Sequence, residues 1–181
     1  MDEVEPETLL VFRPAARDPS WRPGWDPIIV GEQPVRLEDL GQSAFIWRNF
    51  RVQAEFRLGG ADFSESGVPV CVLDFALMLQ AARAILREDG AAALELSDRV
   101  GEWVFDRQEG DDRVRLRRRY RLRDGYRYRA ADGSCPLEAF DGLVDRSLTD
   151  ALSLIFSAQP ALRRNPYLRR LAAESGHPDP G

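Results

Sequence analysis

The chain has 181 residues, 30 of them acidic and 25 basic, and carries a formal charge of −5; every basic residue is arginine. This length suits one domain with a sizeable core, and the acidity argues against a dedicated nucleic-acid binder, whose footprint is usually a basic domain. One histidine, His177, and two isolated cysteines, Cys71 and Cys135, exclude histidine-rich metal sites, Ser-His-Asp or Cys-His catalysis and a disulfide framework.

The N-terminus, MDEVEPETLL, is acidic and has no apolar signal core, and no apolar run approaches membrane-spanning length. A soluble cytoplasmic protein is therefore expected. Residues 1–43 read as a Pro/Trp-rich segment packed on the core, with a short strand at 8–12. Pro6, Pro14, Pro19, Pro23 and Pro27 exclude regular structure from most of it. Trp21 and Trp25 either fold back on the core or form a binding loop, since exposed tryptophans anchor interfaces. Ile28–Val30 reads as another short strand and Arg36–Gly41 as a polar turn or short helix.

A single α+β domain is expected over 44–174. Its clearest strand is 45–58, where Phe50, Val52, Ala54, Phe56 and Leu58 alternate with Arg51, Gln53, Glu55 and Arg57. Gly59-Gly60 closes a hairpin, and 61–66 can return as a short partner strand. From 73 to 87 the polar positions are few, Gln80, Arg83 and Arg87 on one narrow stripe, so this helix is buried on most of its surface, Leu77 and Ala81 included. Asp74 suits the first turn, where a carboxylate meets the positive helix end, and Gly90 is a stop. Residues 92–96 are ambiguous. Ser134-Cys135-Pro136 opens a helix over 137–157, and another follows at 166–174. The tail 175–181, which holds His177, is expected to be disordered. Together the pattern predicts an α+β fold: an antiparallel sheet with the helices packed on one face.

The most pronounced chemical feature lies between 102 and 129. Arg113, Arg115, Arg117, Arg119, Arg121 and Arg123 occupy every second position, so all point to one side of a strand over 113–123. Residues 113–129 hold nine arginines against one aspartate, a net +8, which leaves −13 on the rest. A hairpin with the strand at 102–108 sets Asp106 opposite Arg115, Glu102 opposite Arg119, Phe105 opposite Leu116 and Trp103 against Arg118, a cation–π pair. For the next strand, 126–130, a three-residue loop Arg123-Asp124-Gly125 sets Tyr120 against Tyr128 and leaves arginines opposite arginines. Glu102 and Asp106 make a self-neutralised face one reading. An acidic partner is the other, held by Arg117, Arg121, Arg127 and Arg129, with Trp21 and Trp25 as further contact candidates.

No phosphate-binding loop or dinucleotide fingerprint is present. Asp111-Asp112 and the pair Asp141 and Asp145 read as a loop tip and a polar helix face; carboxylate chemistry of an unfamiliar enzyme is the third reading. No metal, cofactor or membrane partner is implied, and the composition is that of a GC-rich bacterial genome. In size, charge and layout, over about residues 44–173, the chain resembles the immunity proteins of bacterial polymorphic toxin systems. That resemblance implies a non-catalytic protein-binding domain that neutralises a partner toxin, and it brings no residue roles with it. Immunity proteins of basic toxins are acidic, which would place binding on the acidic remainder. The alternative is anion or nucleic-acid binding at the arginine face, where Tyr120, Tyr126 and Tyr128 interleave with arginine. A register that puts the tyrosines on the core side counts against it.

Overall fold

Alternating apolar residues and glycine-marked turns give eight strands, and the apolar stripes give three α-helices, in the computed structural model, which describes residues 7–27, 35–65, 67–108 and 110–176. The expected strand at 28–30, Glu109 of the ladder hairpin loop and His177 lie outside the described residues. The strands are β1 (Leu9–Pro14), β2 (Arg51–Leu58), β3 (Ala61–Asp62), β4 (Val70–Cys71), β5 (Ala91–Glu95), β6 (Glu102–Arg107), β7 (Arg113–Leu122) and β8 (Gly125–Pro136). The helices are α1 (Val72–Asp89), α2 (Leu137–Ala158) and α3 (Pro166–Glu174). The architecture is α+β, as expected, but the strands form two antiparallel sheets rather than one. Sheet one runs β1-β2-β3 with β4 also on β2, and sheet two runs β5-β6-β7-β8. No helix among the described residues is long and apolar enough to cross a membrane.

One apolar core joins them. Phe12 and Phe56 of the first sheet, Trp103 and Phe105 of the second, and side chains from all three helices pack into it. Trp103 sits where the layers meet, stacked on Phe56 at 5.8 Å and edge-on to Phe75 of α1 at 5.4 Å. The centre of α1 differs from the expectation. Leu79, Phe75 and Leu73 are fully buried, whereas Leu77 and Ala81 are only half-buried. The polar stripe of α1 lies along α2: Gln80 donates to the Val144 carbonyl, Arg83 pairs with Asp145 and Arg87 with Asp141.

The long strand expected at 45–58 starts only at Arg51. Residues Ala44–Arg48 form a wide helical turn, and Phe50 takes a left-handed φ of 58°. That conformation is costly for a bulky side chain. The neighbouring segment holds it: Ser20 Oγ accepts from the Phe50 N–H and Asp18 from the Arg51 N–H, while Trp21 and Trp25 meet the Phe50 ring edge-on. The ambiguous residues 92–96 are mostly β5. The return strand at 61–66 reduces to β3, because Asp62 turns back to accept from the Ser64 N–H. Pro136 caps α2 rather than beginning it, so β8 runs straight into the helix.

The two sheets touch backbone to backbone through glycine. A Cβ at Gly133 of β8 would run into the Leu58 carbonyl, and one at Gly59, where φ is +59°, into the backbone of Ser134. Gly133→Ala therefore forces the sheets apart and should lower stability by about 1–3 kcal/mol, as overpacking does. Gly142→Ala in α2, where the added methyl meets an ordinary contact at 3.6 Å, should raise it by about 0.5–1 kcal/mol. Denaturant titration of the two variants measures both. Equal effects of one sign would show that the close approach at Gly133 is not what its residue type answers to.

Candidate binding surface at the arginine ladder

β6 and β7 pair in the expected register, with Glu102 opposite Arg119, Trp103 opposite Arg118, Phe105 opposite Leu116 and Asp106 opposite Arg115. The ion pairs only partly follow the opposites. Arg119 bonds Glu102, but Asp106 takes the diagonal Arg117 at 2.6 Å. Arg115 turns to Asp132 of β8, Nε to Oδ1 2.8 Å, and Arg113 donates to Ser134. The Arg115 hydrogen bond holds the Asp132 carboxyl below its ordinary value. The inner ladder thus neutralises itself, and Arg117, one of the candidate contacts, is committed to Asp106.

The outer turn differs from the three-residue loop expected. Leu122 pairs with Gly125, so Arg123 and Asp124 are the two turn residues; Arg121 faces Tyr126, Tyr120 faces Arg127 and Arg119 faces Tyr128. A register shift between Arg117 and Arg119 follows, beyond which Arg117 faces Asp132. The base of β8 explains the choice. Gly133 and Cys135 must point inward, Gly133 against Leu58 and Cys135 into the core. The other parity would bury Asp132 and expose Cys135. Opposed residues share a face, so Tyr126 and Tyr128 stand on the arginine face, not on the core side. Arg119 lies 4.2 Å over the ring of Tyr126 and Arg117 4.9 Å over Tyr128. Tyr120 alone keeps the core side, with Arg129 at 5.2 Å over its ring.

β6 stops at Arg119, so the β7–β8 hairpin projects past the sheet by three residues a strand, about 10 Å at strand rise. Every residue from 121 to 130 is exposed. Arg127 has only a 3.6 Å contact with Asp124, and Arg121, Arg123 and Arg129 have no carboxylate partner among the described residues. Uncompensated positive charge is therefore concentrated on this arm, where Arg121, Arg127 and Arg129 were expected to carry it.

The arm is rooted in Arg118, which is 2% exposed. Its guanidinium lies 4.0 Å over Trp103, as expected, and also bonds Glu65 and, at 3.3 Å, the Tyr120 hydroxyl. Glu65 continues to Arg99 at 3.1 Å, Arg99 to Asp98 at 2.9 Å, and Asp98 to Arg51 at 2.7 Å. This chain of five charges ties Glu65 and the loop at 96–101 to β2 and β7. Burial alone would raise the Asp98 carboxyl, but hydrogen bonds from Arg99 and Arg51 bring it below 3.8. Asp74 stands apart: burial pushes it up, only partly offset by Ser97, whose N–H and hydroxyl it accepts. Asp74 sits in the first turn of α1, as expected, and from there tethers the 96–101 loop. Nothing in the sequence pattern marks the Glu65–Arg118, Glu65–Arg99 and Asp98–Arg51 pairs, because their members are 30 or more residues apart; Asp132 was findable from the inward demand of Gly133 and Cys135.

Trp21 donates its indole N–H to the Arg51 carbonyl at 2.6 Å, and Trp25 lines a cleft of about 700 Å³ with Trp47, Leu40 and Asp39. The arm lies on a different part of the molecule's elements, so the structure does not bring these tryptophans to the arginines. Asp141 and Asp145 serve the α1–α2 contact, and Asp112 pairs with Arg107 at 3.0 Å. Cys71 and Cys135 are buried without a disulfide, and burial pushes the Cys71 thiol up to about 12. No protein-family model, curated protein or solved structure matches the chain.

Removing Glu65 leaves Arg118 buried without a carboxylate. Glu65→Ala should cost about 3–5 kcal/mol, the usual penalty for breaking a buried pair, while Glu65→Leu with Arg118→Met should recover most of it. Urea titrations of the cycle decide this; a Glu65→Ala variant as stable as the parent sinks the claim. Asp98 gives a pH test. Its lowered value means stability present above 3.8 and lost as pH falls through the folded value below it. Asp98→Asn should therefore be least stable relative to the parent near neutrality, with the gap closing below pH 3.8. Asp74, shifted upward, acts in the opposite sense and is common to both proteins.

Proposed function

We propose that the chain is a non-catalytic, cytoplasmic protein-binding domain that grips an acidic partner surface through the β7–β8 arm. The carrying observation is the division of the arginines: those over the sheet are satisfied within the fold, and those on the projecting arm are not. Like charges crowded on a two-stranded ribbon cost stability, and a carboxylate-rich partner offsets that cost. The arm extends about one Debye length from an otherwise acidic body, so at physiological salt the body's repulsion is largely screened there. Neutralisation of a toxin, the role of immunity proteins, is one form of this reading, with the arm rather than the acidic remainder as the contact.

A second reading, binding of single-stranded nucleic acid, is favoured by one observation. Tyr126 and Tyr128 are exposed on the arginine face, each layered with a guanidinium, and such platforms stack bases. The two readings separate in one experiment. Polyglutamate and oligodeoxythymidine are titrated into the parent and into Arg121→Ser/Arg127→Ser, at about 50 and 200 mM salt, a range over which phosphate contacts weaken strongly. Polyglutamate should bind the parent in a salt-dependent way and the variant at least fivefold more weakly, while the variant melts at the same or a slightly higher temperature. Tighter binding of the oligonucleotide would install the second reading. A variant that melts clearly lower and binds normally would make the arm structural.

A further inference from the structure

Of the six large apolar side chains that are most exposed among the described residues, three surround the charged chain behind the arm: Trp47, Val68 and Val100, the last 71% exposed. Trp47 comes from the helical turn at 44–48, and Val68 and Val100 from two loops; the arginines of the chain hold the first two of these segments by their backbone carbonyls. Arg51 donates to the Trp47 carbonyl at 3.0 Å, Arg99 to the Val68 carbonyl at 3.3 Å, and both arginines donate to the Pro69 carbonyl. Val100 precedes Gly101, whose Cα approaches the arm so closely that an added Cβ would stand 2.7 Å from the Tyr120 ring. Tyr120 is the core-side residue of the arm, Leu122 the next one out, and Arg127 and Arg129 flank them. The loops and the inner side of the arm are thus one continuous surface.

Exposed apolar side chains cost little singly. Here, however, they are presented by loops that are fixed from beneath by paired charges, so they keep their positions in the free protein. An apolar centre with a charged rim is the composition of a protein interface, and the rim on the arm side is positive and uncompensated. We infer that the binding surface extends from the arm across Val100 and Val68 to Trp47, and that its occupant is a protein segment carrying apolar side chains between carboxylates. This rests on the arm being the contact for an acidic partner. It goes further in naming a second, apolar half of the site and in selecting a polypeptide over a nucleic acid, since a phosphate backbone offers nothing to Val68 and Val100.

The test compares two glutamate peptides of equal length and charge, identical except that one carries serines and the other leucines at the same helical spacing. The leucine-bearing peptide should bind the parent about tenfold more tightly, a difference of about 1.4 kcal/mol. Val68→Ser/Val100→Ser should lose that advantage, leaving both peptides at the affinity of the serine-bearing one. Trp47→Ser should lose part of it. These side chains are exposed, so an unchanged melting temperature is expected and checks that the variants fold. Equal affinities of the two peptides for the parent, or an advantage that survives Val68→Ser/Val100→Ser, overturns the apolar half while the arm reading stands. Failure of both peptides to bind the parent overturns the arm reading and this one with it.

Discussion

The stack of Arg118 on Trp103, closed by Glu65, is the constraint from which the rest of the arrangement follows. A guanidinium out of water costs several kcal/mol unless its charge and its donors are met. Here the indole face takes one side of the plane and Glu65 takes the charge, while Arg118 Nε and the Trp103 indole N–H stay unpartnered. Those orphan donors show that the site serves position as much as stability. The same indole packs on Phe56 and Phe75, so both sheets and α1 converge on the ring that carries the arginine. One residue beyond Arg118 the sheet ends and the arm begins.

That placement divides the ladder in two. Over the sheet, carboxylates on the flanking strands answer Arg115, Arg117 and Arg119, and Ser134 takes Arg113. Past Arg119, β6 contributes nothing more, and the hairpin carries its charge into solvent with only Asp124 for company. The arm has little apolar burial of its own to hold it together. Its order comes from the ladder it continues and from the Arg-Tyr stacks along it. The projecting hairpin is therefore the least self-sufficient piece of the sheet, mounted on its best-anchored strand.

Much of this was legible in the sequence. Period-two alternation located β2, β6 and β7, period 3.6 located the helices, and the match of faces across the first hairpin fixed its register and the Trp103–Arg118 contact. The second hairpin was misread because its turn was weighed and its base was not. Asp124-Gly125 admits two loop lengths on local chemistry, and the decision is made at Gly133 and Cys135, which must point inward. The split into two sheets and the Glu65–Arg99 and Asp98–Arg51 links were not legible at all. They depend on loops brought together from 30 and more residues apart, where no periodicity connects the partners. Phe50 delayed the start of the expected long strand to Arg51 by donating its N–H to Ser20, an interaction that no propensity foretells.

The setting of β8 at its base has a consequence for how the arm can vary over evolution. Which face the tyrosines and arginines occupy is a matter of odd and even, inherited from the contact between Gly133 and Leu58 at the far end of the strand. Gaining or losing an even number of residues between 123 and 131 keeps every surviving side chain on its own face, as the register shift opposite Arg118 already does. A single-residue gain or loss inverts the whole tip, exchanging Tyr126 and Tyr128 for Arg127 and Arg129. The tip can thus lengthen, shorten and change its letters in steps of two without the core being consulted, which is the freedom that a surface needs if it must follow a changing partner.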